Sequence, residues 1–151
     1  MNWTFDICLK NRKLLEAFLD NFTLEQLNKI PEGFNNNIIW NIAHTIVTQQ
    51  LLVYGNSQLS MLVSDDMVSK YRKGTKAEHN VTQKKVDEIR ALLFSTLEKT
   101  IEDYNNGVFV NYTTYTVSTK STLTNVEEAL EFNNFHEGIH FGYILALKKS
   151  L

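Results

Sequence analysis

The chain has 151 residues, of which 43% are hydrophobic and 21% charged, and its formal net charge is −2. This length and composition fit one globular domain that spans residues 1–151 and buries its own core. The net charge lacks the basic excess of nucleic-acid-binding domains, so nucleic acid is not expected as a partner. No apolar run reaches the 18 or so residues of a membrane span, so no membrane partner is expected either.

Cysteine content and the N-terminal residues bear on the compartment. The single cysteine, Cys8, excludes an intramolecular disulfide and fits a reducing environment. The first residues show no basic segment followed by an apolar run, so no signal peptide is expected and a cytoplasmic location is predicted. One proline and six glycines favour long helices over a turn-rich β fold.

The first helix is predicted over residues 2–20, since apolar side chains recur there at a spacing close to 3.6. Its stripe comprises Phe5, Cys8 or Leu9, Arg12, Leu15, Phe18 and Leu19. Cys8 is therefore interpreted as a core residue rather than a nucleophile. Thr23 and Gln26 then have the spacing of a capping box, which predicts a short helix over residues 24–29.

The second long helix is expected over residues 37–54, with Asn37 as its cap and His44 beside its apolar face. In the more polar segment that follows, short helices are considered at 57–63 and 65–71. The basic cluster of this segment is interpreted as a solvated loop rather than a binding patch: Lys70, Arg72, Lys73 and Lys76.

A third long helix is predicted over residues 82–104, with Thr82 as its cap. Residues 108–119 are rich in β-branched and aromatic side chains, which indicates either a small hairpin or an irregular loop across the mouth of a bundle. Thr124–Glu127 match a second capping box, which starts a last helix over 124–149. Together these elements predict an all-α four-helix bundle with an extended or loop crossover before the last helix.

Two of the four histidines, His136 and His140, lie four residues apart on the last helix, so both imidazoles share one face. Apolar residues at helical spacing predict that this face borders a packed interior: Ala129, Phe132, Phe135, Ile139, Tyr143 and Leu147. Buried imidazoles need partners for their nitrogens, and His44 is the best third candidate for a shared metal ion. The alternative is three hydrogen-bonded histidines at the edge of the core. His79 has no partner at ligand spacing and is left out.

The segment His136–His140 also matches the H-E-x-x-H pattern of zinc proteases, in which Glu137 would be the general base. Two observations disfavour a protease. Enzymes of this pattern usually take a third metal ligand from downstream, yet no His, Asp or Glu follows His140. No sheet is predicted that could hold an extended peptide beside the metal. Glu137 stays a candidate catalytic residue. Its other, favoured role is that of a carboxylate that orients a neighbour or lies at the surface.

A family resemblance rests on two segments, Trp40–His44 and His136–Ile144. Both are similar to motifs of the DinB/YfiT-like superfamily, and the chain length and helix order agree over nearly the whole sequence. The resemblance implies a four-helix bundle in which His44, His136 and His140 hold a divalent metal, with zinc or nickel expected. Tyr143 stands where many members have glutamine, a departure that leaves the ligands intact.

The superfamily includes thiol-dependent S-transferases and isomerases, as well as proteins described as metal-dependent hydrolases. The resemblance therefore implies a metal-dependent enzyme of the thiol S-transferase type, with a small-molecule thiol and an electrophile as substrates. The alternatives are a hydrolase, a bundle that binds metal or ligand without turnover, and an interaction protein whose metal only clamps helices. A homodimer is the assembly considered.

Overall fold

Four long helices form an all-α bundle in the computed structural model, which describes residues 1–151. The helices in chain order are α1 (Asn2–Asn21), α2 (Leu24–Asn28), α3 (Ile38–Gln50), α4 (Asp65–Tyr71), α5 (Gln83–Asn105) and α6 (Val126–Lys148). The four long ones are α1, α3, α5 and α6, and each of α5 and α6 packs against both α1 and α3. None of the helices combines the length and the apolar composition that a bilayer crossing demands.

Local signals place the first two helices where the sequence predicts them. Every position of the α1 stripe is buried, with Cys8 rather than Leu9 facing the core. At the start of α2, the Thr23 hydroxyl accepts a hydrogen bond from the Gln26 amide at 3.2 Å, and the Gln26 side chain accepts one from the Thr23 amide at 2.9 Å. This reciprocal pair is the predicted capping box.

Helix α3 is the central helix of the bundle, because all of its residues except Thr48 are buried. The Asn37 side chain caps it by accepting from the Trp40 amide at 2.9 Å, as predicted. The helix predicted to residue 54 continues to Gly55, but its last turn, Leu51–Gly55, is π-helical rather than α-helical. Turns of this kind are frequent at functional sites.

Of the two short helices considered after this turn, only the second forms, as α4. The segment 57–63 is irregular. Gln58 adopts a left-handed backbone with φ of 59°, which a right-handed helix cannot contain. The Leu62 amide donates instead to Oε1 of the buried Gln50 side chain at 2.7 Å, and this hydrogen bond connects the segment to α3.

The crossover between α5 and α6 contains a small antiparallel hairpin, formed by β1 (Tyr115–Thr116) and β2 (Thr122–Leu123). Residues 108–114 are irregular, so each of the two predicted alternatives describes part of the segment.

The capping box predicted before α6 is displaced by one residue. Asn125, not Thr124, caps the helix by accepting from the Glu128 amide at 2.9 Å, and the Glu128 carboxylate accepts from the Thr124 amide at 2.7 Å.

The buried face of α6 differs from the predicted one. Phe135 and Ile139 are 52% and 50% exposed, and Tyr143 is also exposed. Asn133 and Glu137 are buried in their place, facing α1, while Ala129 and Leu147 are buried as expected. The apolar pattern alone misidentifies this face because α1 presents a buried arginine to α6, and Glu137 of α6 pairs with it.

Candidate metal centre

Three histidines from two helices converge in the bundle. His44 projects from α3, and His136 and His140 occupy successive turns of α6. One ring nitrogen of each lies within 4.8 Å of those of the other two, and the ring centroids are 4.5 to 5.1 Å apart. The structure thus brings together the three residues that the sequence singles out. The fourth histidine, His79, lies in an exposed loop outside the cluster.

A backbone carbonyl sets the tautomer of His44. Its Nδ1 lies 2.6 Å from the carbonyl oxygen of Tyr71, at the end of α4. Because a carbonyl only accepts, Nδ1 carries the proton and Nε2 keeps a free lone pair. The indole of Trp40 stacks on the imidazole with centroids 4.7 Å apart and an interplanar angle of 11°. The ring of His44 is therefore held in one orientation.

An asparagine performs the same task for His140. The Nδ1 of His140 lies 2.8 Å from Oδ1 of Asn41, and Nδ2 of Asn41 donates to the carbonyl of Asn37 at 2.8 Å. Since the amide nitrogen donates to Asn37, the oxygen faces the imidazole and accepts a hydrogen bond from its Nδ1–H. Nε2 of His140 is then the nitrogen with a free lone pair. Hydrogen bonds of this type orient imidazoles at metal sites.

His136 supplies a test of whether a metal fits. Its Nδ1 is buried and has no hydrogen-bond partner. An unsatisfied buried nitrogen is costly unless a ligand or a metal ion completes it. Neutral imidazoles are ligands that zinc and nickel accept readily, and three of them match the donor set of an open site. The residues present therefore fit a divalent transition metal.

The electrostatic environment keeps all three imidazoles neutral. Burial lowers the pKa of His136 to about 2, with further lowering by the neighbouring His140, His44 and Arg12. Burial and the proximity of His44 lower the pKa of His140 to about 4. Burial also lowers the pKa of His44, partly offset by its bond to the Tyr71 carbonyl. Metal ions bind the neutral form of histidine, so the site is ready for a metal at neutral pH.

A cleft of about 430 Å³ opens beside His44 and His136. Its apolar wall comes from the π-helical turn, the hairpin and α6: Leu51, Leu52, Val117 and Phe132. The Thr48 hydroxyl also lines it, 3.4 Å from Nε2 of His44. A larger cleft of about 520 Å³ lies against residues 69–85 and contains none of the three clustered histidines. The smaller cleft is therefore the candidate binding site, because two of the clustered histidines line it.

Glu137 lies outside this cleft and is fully buried, which excludes the surface position and leaves the other form of its favoured role, a carboxylate that orients its neighbours. Its Oε1 accepts from Nε of Arg12 at 2.7 Å and from Nδ2 of Asn133 at 3.1 Å. The thiol of Cys8 approaches both carboxylate oxygens at 3.7 Å. Burial and the charge of Glu137 raise the pKa of Cys8 far above its usual range, which suits a core residue rather than a nucleophile.

Sequence reasoning alone misses the roles of Asn41, Trp40 and the Tyr71 carbonyl. Asn41 offers one signal, since an asparagine in the middle of an otherwise apolar helix face requires a buried partner. The Tyr71 carbonyl offers none, because its position depends on how α4 packs against α3.

Comparison with known proteins finds one family model that matches most of the chain. The family model described as the DinB superfamily matches residues 9–144, which include all three clustered histidines. No curated protein matches the chain.

Proposed function

The chain belongs to the DinB superfamily, and we propose that it is a metal-dependent enzyme of the thiol S-transferase type, built as one domain over residues 1–151. In this proposal His44, His136 and His140 hold one divalent ion, zinc or nickel. The observation that carries the proposal is the convergence of three imidazoles, two of which line an open cleft. Three protein ligands leave a coordination position for a small molecule, as in catalytic rather than structural sites.

The protein's own groups prepare the site for this role. The Tyr71 carbonyl and Asn41 hold the Nδ1 protons of His44 and His140, which leaves each Nε2 free to bind. A divalent ion held by neutral imidazoles would lower the pKa of a thiol or water bound to it.

The surroundings of Glu137 favour a transferase over a hydrolase. Hydrolysis of the H-E-x-x-H type requires a carboxylate within hydrogen-bond reach of the attacking water. Glu137 instead pairs with Arg12 inside the core, and no carboxylate lines the cleft. A thiol needs less help from a general base, because a metal by itself lowers the pKa of a thiol bound to it.

Metal content tests the ligand assignment. Elemental analysis of the purified protein is expected to find close to one zinc or nickel per chain. His136→Ala is expected to lose most of it, since two imidazoles seldom suffice. His79→Ala is the matched control and should retain the metal, because His79 lies outside the cluster. Equal metal content in wild type and His136→Ala would refute the assignment.

Turnover tests the enzymatic part. The metal-loaded protein is screened with low-molecular-weight thiols and an electrophile such as an aryl halide, and thiol consumption is followed. Conjugation that disappears in His140→Ala and persists in His79→Ala would support the transferase. A protein that binds metal but conjugates no thiol would instead favour the alternative of a non-enzymatic binding bundle.

A further inference from the structure

The cleft beside the histidines has an uneven charge distribution. Twelve residues line it, and Lys73 is the one lysine, arginine, aspartate or glutamate among them. Imidazole ligands carry no negative charge, so a divalent ion held by them would keep its positive charge, and no carboxylate in the lining would offset it.

Lys73 itself has no partner. It is exposed, follows α4 by two residues, and forms neither an ion pair nor a side-chain hydrogen bond. Lys70, three residues earlier, differs from Lys73 in two ways. It forms an ion pair with Asp66 at 2.8 Å, and it does not line this cleft. The ammonium group of Lys73 is therefore free to bind a group from outside the protein.

We infer that the cleft takes a small molecule that carries a carboxylate, with Lys73 as the counter-ion of that carboxylate. The inference rests on the proposed function and adds the class of molecule that the site selects. The positive charges at the metal position and at Lys73 both favour an anion.

The remaining surface of the cleft fits the carbon skeleton of such a molecule. Leu52, Val117 and Phe132 supply apolar contacts, and the Ser118 hydroxyl supplies a polar one. The volume of about 430 Å³ lies in the range of small-molecule sites. A mercaptocarboxylate has a group for each part of the cleft. Its thiol would bind at the metal position, its short chain would contact the apolar side chains, and its carboxylate would pair with Lys73.

The test compares matched thiols by isothermal titration calorimetry on the zinc-loaded protein. The probes are 3-mercaptopropionate and its neutral amide, together with 6-mercaptohexanoate and its amide, so that two chain lengths are covered. In wild type at least one carboxylate is expected to bind about fivefold tighter than its amide, which is the scale of an exposed ion pair. The preference should weaken as salt is added.

Variants assign the preference to Lys73. Lys73→Met should remove it and Lys73→Arg should keep it, since arginine retains the charge. Lys76→Met is the matched control and should also keep it, because Lys76 is another exposed lysine and lines the other cleft. All three changes are at exposed positions, so the fold is expected to be unaffected.

Two results would overturn the inference alone: no carboxylate preference at either chain length in wild type, or an undiminished preference in Lys73→Met. Uptake of zinc and of nickel is measured first, and the nickel-loaded protein is titrated if nickel alone binds. A protein that takes up neither metal would overturn the proposed function and the inference together, so the two failures are distinguishable.

Discussion

Arg12 and Glu137 form an ion pair inside the bundle, and both side chains are fully buried. Nη1 of Arg12 also donates to the carbonyl of Leu93 at 3.2 Å, so the guanidinium links α1, α5 and α6. Glu137 is adjacent in sequence to the proposed ligand His136. The pair therefore fixes the turn of α6 that carries the imidazole.

Replacement of Glu137 is expected to affect stability more than chemistry. Glu137→Gln leaves the charge of Arg12 uncompensated in the core, and we expect a loss of about 3 kcal/mol in the free energy of unfolding. The variant should retain its metal and lose less than about tenfold in rate, because loss of a true general base typically costs 10²–10⁴-fold. Urea unfolding and elemental analysis measure the two effects. A thousandfold rate loss with metal still bound would restore Glu137 as a general base.

The paired change Arg12→Met with Glu137→Met serves as the control for this interpretation. Removal of both charges should cost less than the sum of the two single changes, since neither charge is left alone. Additive losses would show that the two residues are energetically independent.

Asn41 is expected to control metal affinity without binding the metal. Asn41→Leu removes the acceptor of the His140 Nδ1 proton, and the loss of such a partner typically weakens metal binding by about 10–100-fold. Asn41→Asp keeps an acceptor and should lie closer to wild type. Competition with a chromogenic chelator measures the affinity. Wild-type affinity in Asn41→Leu would show that the hydrogen bond seen in the structure does not orient the imidazole.

At the level of elements, the start of α6 decides where its histidines lie. Asn125→Ala removes the cap of the helix and is expected to reduce the free energy of unfolding by about 1 kcal/mol. Thr124→Ala is the matched control. It should cost less, because the Thr124 amide still donates to Glu128. Urea unfolding compares the two, and a greater loss in Thr124→Ala would restore the cap position predicted from the sequence.

The π-helical turn and the hairpin matter at the same level, because they turn a gap between helices into a cleft. Leu51 and Leu52 follow the last regular turn of α3, and Tyr115 and Val117 come from the β1 side of the hairpin. Both elements are short. Their role in the cleft depends on their placement against α6 rather than on intrinsic stability.

For the whole molecule, the lowered histidine pKa values predict acid sensitivity of the metal-free protein. Between the folded pKa of His140, about 4, and the ordinary value near 6.5, the unfolded chain binds more protons than the folded one. Folding stability is therefore complete above about pH 7 and falls as the pH drops through this window. The slope is at most about 1.4 kcal/mol per pH unit for each histidine.

Urea unfolding with a chelator present, at pH 7.5 and pH 5, measures this effect. His140→Gln should flatten the dependence, whereas His79→Gln, outside the cluster, should preserve it. One cooperative transition is expected at pH 7.5, as the single-domain proposal requires. An unchanged slope in His140→Gln would contradict the assignment of the effect to the histidine cluster.

Local sequence patterns determined most of the helices and part of the site. The α1 stripe, the Thr23 capping box and the Asn37 cap depend on residues within one or two turns, so the printed sequence contains the whole of each signal. The spacing of His136 and His140 is equally local. Their meeting with His44 is not local, and its prediction depended on the expected bundle together with the family resemblance.

The tertiary structure decided what depends on contacts between distant residues. Phe135 and Ile139 look like core residues in the sequence, yet Glu137 is buried because Arg12, 125 positions earlier, faces it. The tautomers of His44 and His140 depend on Tyr71 and Asn41, which the chain brings into place only by packing α3 against α4 and α6. Periodicity reports how apolar a helix face is, whereas the neighbour across the interface determines whether that face is buried.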